Sequence, residues 1–210
     1  MGHKRSRILL LLGVATVLVG LSGYAGERGE QIVIVCNERE PESRPLAEYY
    51  AQQRHIPTNR ICVIRARPVE TITRREFNDD IREPILRFLS RHGLLTQEPR
   101  VVNDHPRLET TACRISCLAL IYGVPLRIES DATIEEKSPL TDNLPPELRR
   151  NEASVDSELA LLPLQGLPIS GPLRNPFFNS TSGRLLLVGR LDGPDANTVR
   201  RMINGQALMS

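Results

Sequence analysis

The chain of 210 residues has 27 Lys and Arg against 25 Asp and Glu, and 40% of its residues are hydrophobic. Three of the basic residues, Lys4, Arg5 and Arg7, precede the first acidic residue, so the rest of the chain has 24 basic and 25 acidic residues and a net charge of −1. This balance gives no electrostatic basis for binding nucleic acid or an anionic membrane. The apolar fraction argues for a folded chain rather than a disordered one.

The N-terminus predicts a secretory signal. Its basic residues lead into the uncharged apolar run Ile8–Leu21, and Gly23-Tyr24-Ala25 supplies the small residues that a signal peptidase requires. A retained membrane anchor is the alternative, but the run is shorter than the roughly 20 residues of a spanning helix. We therefore expect residues 1–25 to be a cleaved signal peptide and residues 26–210 to form an α/β domain. The expected location is the periplasm or the cell surface, without a stable membrane span after cleavage.

Continuous apolar runs and helical spacing alternate in the first half of the chain. Gln31–Asn37 and Arg60–Arg65 are predicted strands, and the unbroken apolar character of the first is typical of a strand buried on both faces. Ser43 is the predicted N-cap of the helix between these strands.

A second helix is predicted from Thr73, whose spacing to Glu76 forms a capping box, to a stop at Gly93. Pro84 within this helix is expected to kink or split it. Residues 98–112 are expected to be irregular.

The second half begins with the predicted central strand Ile115–Tyr122. The remaining predictions are a surface excursion over 129–152, a short helix or turn over 153–163, a loop over 165–183, a strand over 185–188, a turn over 189–194 and a helix over 197–208. Alternating strands and helices predict a three-layer α/β sandwich with a mostly parallel sheet. No strand follows the last helix, so we expect the chain to be interrupted rather than finished.

Four cysteines, Cys36, Cys62, Cys113 and Cys117, allow three disulfide pairings in an exported protein, and the sequence leaves the choice open. Cys36 and Cys62 lie in apolar runs and are expected to be buried thiols. Cys113 and Cys117 would point to one face of a single strand, too far apart to bridge each other. The chain has no CxxC motif, GxGxxG motif or P-loop, so no metal site and no cofactor is predicted.

Polar residues near predicted strand ends form the candidate site, because ligands of open parallel sheets bind beyond the carboxyl ends of the strands. The candidates for binding a ligand or for a structural role are Asn37, Tyr122, Asp156, Glu158, Arg190 and Asp192. One interpretation is a polar pocket with carboxylates and an Arg. The other is structural: Arg190 and Asp192 form an internal ion pair that fixes the turn, and Asp156 is the N-cap of a helix beginning at Ser157.

The histidines outside the signal are His55, His92 and His105, and none lies at a predicted strand terminus or beside a cysteine. Nucleophilic catalysis needs a nucleophile with a positioned base. The sequence therefore predicts no catalytic residue.

Six stretches together resemble a family of exported bacterial proteins that occurs in genomes with the exosortase system, which sorts proteins bearing PEP-type C-terminal signals. They are Ile32–Asn37, Leu46–Tyr50 with Ile56-Pro57, Ile121–Arg127, Ala153–Leu159, Asn175–Phe178 and Leu187–Pro194. The resemblance covers nearly all of the chain after the signal. It implies an association with surface-protein sorting, with surface or sorted proteins as partners, and the family normally continues beyond the length of this chain.

More distantly, Val188-Gly189-Arg190-Leu191 followed by a helix is similar to a turn of gingipain-type cysteine peptidases, which have a caspase-like α/β fold. In those enzymes the catalytic His-Gly and Cys follow later strands, whereas this chain ends at Ser210. The only His-Gly here, His92-Gly93, closes a predicted helix. The resemblance therefore transfers no catalytic residue.

Three functions follow as hypotheses. The leading one is an exported protein that is accessory to exosortase-linked sorting and is not catalytic alone. The second is the N-terminal portion of a caspase-like hydrolase whose catalytic residues lie downstream. The third is a ligand- or peptide-binding module that uses the strand-end pocket.

Overall fold

A computed structural model of the chain describes residues 29–102, 105–131, 151–164 and 185–205. The predicted signal peptide, the loop over 165–183 and most of the excursion over 129–152 lie outside these residues. In chain order the elements are β1 (Ile32–Asn37), α1 (Ser43–Gln53), β2 (Ile61–Ile64), β3 (Thr71–Ile72), α2 (Glu83–Arg91), β4 (Leu95–Val102), β5 (His105–Cys113), β6 (Cys117–Ile121), β7 (Arg127–Ile128), β8 (Ala153–Ser154), α3 (Val155–Ala160), β9 (Leu187–Leu191) and α4 (Ala196–Ile203).

The main sheet has the strand order β2-β1-β6-β9, and every neighbouring pair is parallel. Val35 of β1 lies opposite Cys62 on one side and Leu120 on the other. The chain leaves β1 toward β2 and later returns to β6 on the opposite side of β1. The carboxyl ends of β1 and β6 therefore flank the position where the strand order reverses, which is where open α/β sheets usually bind ligands.

Helices cover both faces of this sheet, because successive side chains of a strand point to opposite faces. On one face, Val33 and Val35 of β1 pack with Phe77, with Leu89 of α2 and with Val155 of α3. On the other face, the buried core consists of Ile34, Cys36, Leu46, Ala47, Ala51, Ile56, Ala119, Ile121, Val199 and Ile203, contributed mainly by β1, β6, α1 and α4. The described residues thus form the predicted three-layer α/β arrangement with a parallel sheet.

The second predicted helix is a continuous helical run from Arg74 to Arg91. It begins with the predicted capping box, in which Thr73 and Glu76 bond each other's backbone amides. It continues as a π-helix over Phe77–Arg82 and then as α2. Pro84 lacks an amide hydrogen and its ring crowds the carbonyl four residues earlier, so a wider turn just before it fits the helix to the proline. The helix therefore changes from π to α hydrogen bonding next to Pro84 and continues without a break in the chain of helical residues.

Gly93 ends α2 with a φ of 63°. The amide of Leu94 donates to the carbonyl of Leu89 at 2.8 Å, and the amide of Gly93 donates to that of Ser90 at 3.0 Å. These two bonds make a Schellman motif, which needs a residue that tolerates positive φ. The predicted stop is confirmed.

Residues 98–102 and 105–112 are not irregular, as we had expected, but belong to the antiparallel pair of strands β4 and β5. Much of this ribbon faces solvent, with Val101 70% and Leu108 50% exposed. An exposed two-stranded ribbon need not carry the alternating hydrophobic pattern of a half-buried strand, and this explains the error. Cys113 ends β5 and Cys117 begins β6, so the two cysteines lie on different strands.

The last strand lies further along the chain than predicted. β9 spans Leu187–Leu191, so Gly189, Arg190 and Leu191 belong to a strand rather than to a turn. α4 follows, with Asp195 as its N-cap accepting a hydrogen bond from the amide of Thr198 at 2.7 Å.

Short pairings of β3, β7 and β8 form a second, three-stranded sheet. Within the described ranges, no helix has the length and apolarity needed to cross a membrane.

Candidate functional site

Asn37 ends β1 at the reversal of strand order and is fully buried. Its amide nitrogen donates to the carbonyl of Ala66 at 2.9 Å and to that of Gly123 at 2.8 Å. Its backbone amide donates to the hydroxyl of Ser43 at 2.9 Å. Asn37 therefore joins the segments that follow β2 and β6.

This bond also explains why Ser43 is not the N-cap of α1. Glu42 occupies the cap position without a side-chain hydrogen bond, and Ser43 is the first helical residue. The Ser43 hydroxyl is engaged by Asn37, six residues earlier, rather than by its own helix. A tertiary contact has thus replaced the predicted local one.

Gly123 and Glu40 occupy the space beside Asn37. Gly123 has a φ of 86°, and a Cβ added there would lie 2.5 Å from both Cβ and Cγ of Glu40. Tyr122 is partly buried against the core beneath α1 and α4. The position where the strand order reverses is therefore closely packed.

Arg190 of β9 has the most complete set of partners at this end of the sheet. Its Nε lies 3.2 Å from both carboxylate oxygens of Asp156, and its Nη2 lies 2.5 Å from Oδ1. Nη1 donates to the carbonyl of Val124 at 2.6 Å, and Nη2 donates to that of Pro125 at 2.9 Å. The side chain is only 13% exposed. Every nitrogen of the guanidinium thus bonds within the protein.

The sequence had suggested Asp192 as the ionic partner of Arg190, but Asp156 is the close one. The Asp192 carboxylate approaches Arg190 Nη1 only to 3.9 Å. Its other oxygen accepts the amide of Gly193 at 2.9 Å. Asp192 therefore orders the turn after β9 and adds a weaker charge contact.

Asp156 is free to bind Arg190 because it is not the N-cap that the structural interpretation assigned to it. Ser154 is the N-cap, and its hydroxyl accepts hydrogen bonds from the amides of Asp156 at 3.1 Å and Ser157 at 3.3 Å. The helix begins at Val155. With the cap supplied by Ser154, the Asp156 carboxylate can turn toward β9.

Glu158 makes a separate ion pair with Arg74, at 2.6 Å from Nη1. Arg74 Nη2 also donates to the carbonyl of Asn151 at 3.4 Å. Sequence reasoning did not identify Arg74, and no local signal could have done so, because Glu158 is 84 residues away. The six candidate residues are thus distributed over three packed groups, around Asn37, Arg190 and Arg74.

The four cysteines and the side chains of His55 and His92 are the candidate nucleophiles and bases whose surroundings the structure describes. All four cysteines are free thiols. Burial raises the pKa of Cys36 to about 11 and that of Cys62 to about 12, so both are protonated at neutral pH. His92 Nδ1 donates to the carbonyl of Phe88 at 2.9 Å at the end of α2, and His55 is exposed beyond α1.

Within the described residues, no hydrogen bond joins either of these two histidines to a cysteine. In the part of the chain that the structure describes, no group of three or more His, Cys, Asp or Glu side chains is arranged to hold a metal ion. No protein-family model, curated protein or solved structure matches the chain.

Proposed function

We propose that the chain is an exported accessory protein of the exosortase-linked surface-sorting system and that it performs no catalysis alone. Four of the stretches that carry the resemblance supply the contacts around Asn37 and Arg190. Asn37, Gly123, Asp156 and Arg190 each come from a different one of these stretches. In this chain the residues that carry the resemblance therefore form hydrogen bonds that hold separate segments of the fold together.

The resemblance carries the link to sorting, and the observation that supports a role without catalysis is the full engagement of Arg190. A ligand that took this guanidinium would leave the carbonyls of Val124 and Pro125 without their donors and Asp156 without its counter-charge. Buried polar groups that lose their partners destabilise a protein by about 1–3 kcal/mol each. The carboxyl end of the sheet is therefore better suited to holding the domain together than to exchanging ligands.

The function then lies in contact with other exported proteins, in the periplasm or at the cell surface. The partners proposed are the surface or sorted proteins that the resemblance implies. The test is to delete the gene and measure how much of a sorted protein reaches the surface. We expect a loss that the intact gene restores and that a gene without codons 2–25 does not. Unchanged sorting after deletion would overturn the proposal.

A second experiment tests the part of the proposal that says the chain performs no catalysis alone. The purified full chain is incubated with a peptide library, together with a variant in which all four cysteines are replaced by serine. We expect no cleavage by either protein. Cleavage by the native chain that the serine variant loses would contradict this part of the proposal, because it would show that a cysteine of this chain acts as a nucleophile.

A further inference from the structure

An open cleft of about 330 Å³ lies at the amino end of the main sheet, opposite the groups around Asn37 and Arg190. Glu30, Arg60 and Arg114 line it, and each lies just before one of the three adjacent strands β1, β2 and β6. The turn of His92 and Gly93 after α2 forms another wall. The topology therefore brings two arginines, distant in sequence, to the same space.

Both arginines have a fixed backbone. The Arg60 amide donates to the carbonyl of Pro57 at 2.9 Å, and its Nε donates to that of Glu30 at 3.0 Å. The Arg114 amide donates to the carbonyl of Leu94 at 2.8 Å. The terminal nitrogens of Arg60 and the whole guanidinium of Arg114 form no hydrogen bond or ion pair with any residue that the structure describes. This contrasts with Arg190, whose guanidinium is fully engaged.

The wall formed by the end of α2 does not compete for these donors. The carbonyls of Leu89 and Ser90 already accept the amides of Leu94 and Gly93, and the carbonyl of Phe88 accepts both the amide and Nδ1 of His92. The end of the helix therefore directs few free acceptors into the cleft. Glu30 is the one acidic residue of the lining, so two arginines and one acidic residue contribute to the cleft.

We propose that this cleft binds a small oxyanion, a phosphate or carboxylate group, between Arg60 and Arg114. The planar guanidinium presents paired N–H donors that match the oxygens of both groups. A volume of about 330 Å³ accommodates a small metabolite or one charged end of a larger molecule. The inference is independent of the proposed role in sorting, since it uses the opposite end of the sheet.

The test is to titrate the full chain with inorganic phosphate, and separately with acetate. The NMR amide signals of Gly93 and Leu94 are the measurement in both titrations. We expect saturable shifts of these signals with at least one of the two anions, and the anion that saturates identifies the group. Arg114→Gln should weaken the affinity at least about tenfold, the scale of one lost charge-assisted interaction. Its urea midpoint should stay unchanged, because the Arg114 side chain has no described partner.

The matched control is Arg65→Gln. Arg65 follows β2 at its carboxyl end, as Arg60 precedes β2 at its amino end, and it is an exposed residue paired with Glu38. This variant should bind phosphate or acetate as the native chain does. The proposal is overturned if neither anion saturates, or if the two variants weaken binding equally. Should Arg114→Gln fail to fold, the location of the shifts in the native chain decides the matter.

Discussion

Arg190 and Asp156, which are 34 residues apart in sequence, form a bidentate ion pair that connects β9 to α3. The same guanidinium also holds the carbonyls of Val124 and Pro125, in the segment after β6. One side chain thus joins β9, the segment after β6 and a helix that packs on one face of the sheet. The stability of the carboxyl end of the sheet should depend on it.

Replacing this arginine should destabilise the fold. We expect Arg190→Met to lower the free energy of unfolding by about 2–3 kcal/mol, less than for a fully buried pair because Asp156 is 34% exposed. Urea unfolding followed by circular dichroism measures the change. Arg127→Met is the control, since Arg127 and Glu70 form a pair that is 67% and 61% exposed, and its effect should stay below about 1 kcal/mol. Equal effects of the two variants would contradict the assigned role of Arg190.

Asn37 should not tolerate replacement by its nearest isostere. In Asn37→Asp the two donated hydrogens are lost, and one carboxylate oxygen faces the carbonyls of Ala66 and Gly123 in a fully buried position. We expect a loss of about 3 kcal/mol or more at pH 7 from two unpaired acceptors and an unpaired buried charge. Thermal unfolding of the full chain tests this prediction. Asn78→Asp, at a half-buried position, is the control and should have a small effect.

The capping box predicts a pH dependence of stability. Hydrogen bonds from Arg67 and from the Thr73 amide lower the pKa of Glu76 from 4.5 to about 2. Because the folded-state pKa is lowered, this contribution is complete above pH 4.5 and is lost as the pH falls toward 2. Glu76→Gln should therefore destabilise by about 1 kcal/mol at pH 7, the scale of a helix cap, and by less at pH 3.

Urea midpoints of the native chain and of Glu76→Gln at pH 7, 4.5 and 3 give this comparison. Glu70→Gln removes a carboxylate from an exposed pair and should show little pH-dependent difference from the native chain. A difference for Glu76→Gln that stays constant down to pH 3 would argue against the capping box as its source.

The thiols should show two classes of reactivity. Cys36 and Cys62 are at most 1% exposed, and their pKa values of about 11 and 12 leave a thiolate fraction of roughly one in a thousand or less at pH 8. We expect them to react with Ellman's reagent only on unfolding. The half-buried Cys113 and Cys117 should react earlier. Finding fewer than four thiols in the unfolded, unreduced chain would show that a disulfide forms.

Local sequence signals predicted the strands and helix ends well where the residues that determine the element lie within one short segment. Unbroken apolar runs predicted β1 and β6, because a strand buried on both faces needs no polar side. The Thr73–Glu76 spacing predicted a capping box, and Gly93 predicted the end of its helix, since each depends on residues a few positions apart. Alternation of these elements was enough to predict a parallel sheet covered by helices.

Tertiary structure decided what the polar residues contact. Ser43 binds Asn37 instead of capping its helix, Asp156 binds Arg190 instead of capping its own, and Glu158 binds Arg74 across 84 residues. Each of these side chains could have satisfied a nearby amide, but the fold brings a stronger or more deeply buried partner within reach. The sequence by itself thus determined which segments form the sheet. Only the packing of distant segments determined that Arg190 is saturated with partners and that Arg60 and Arg114 line the same cleft.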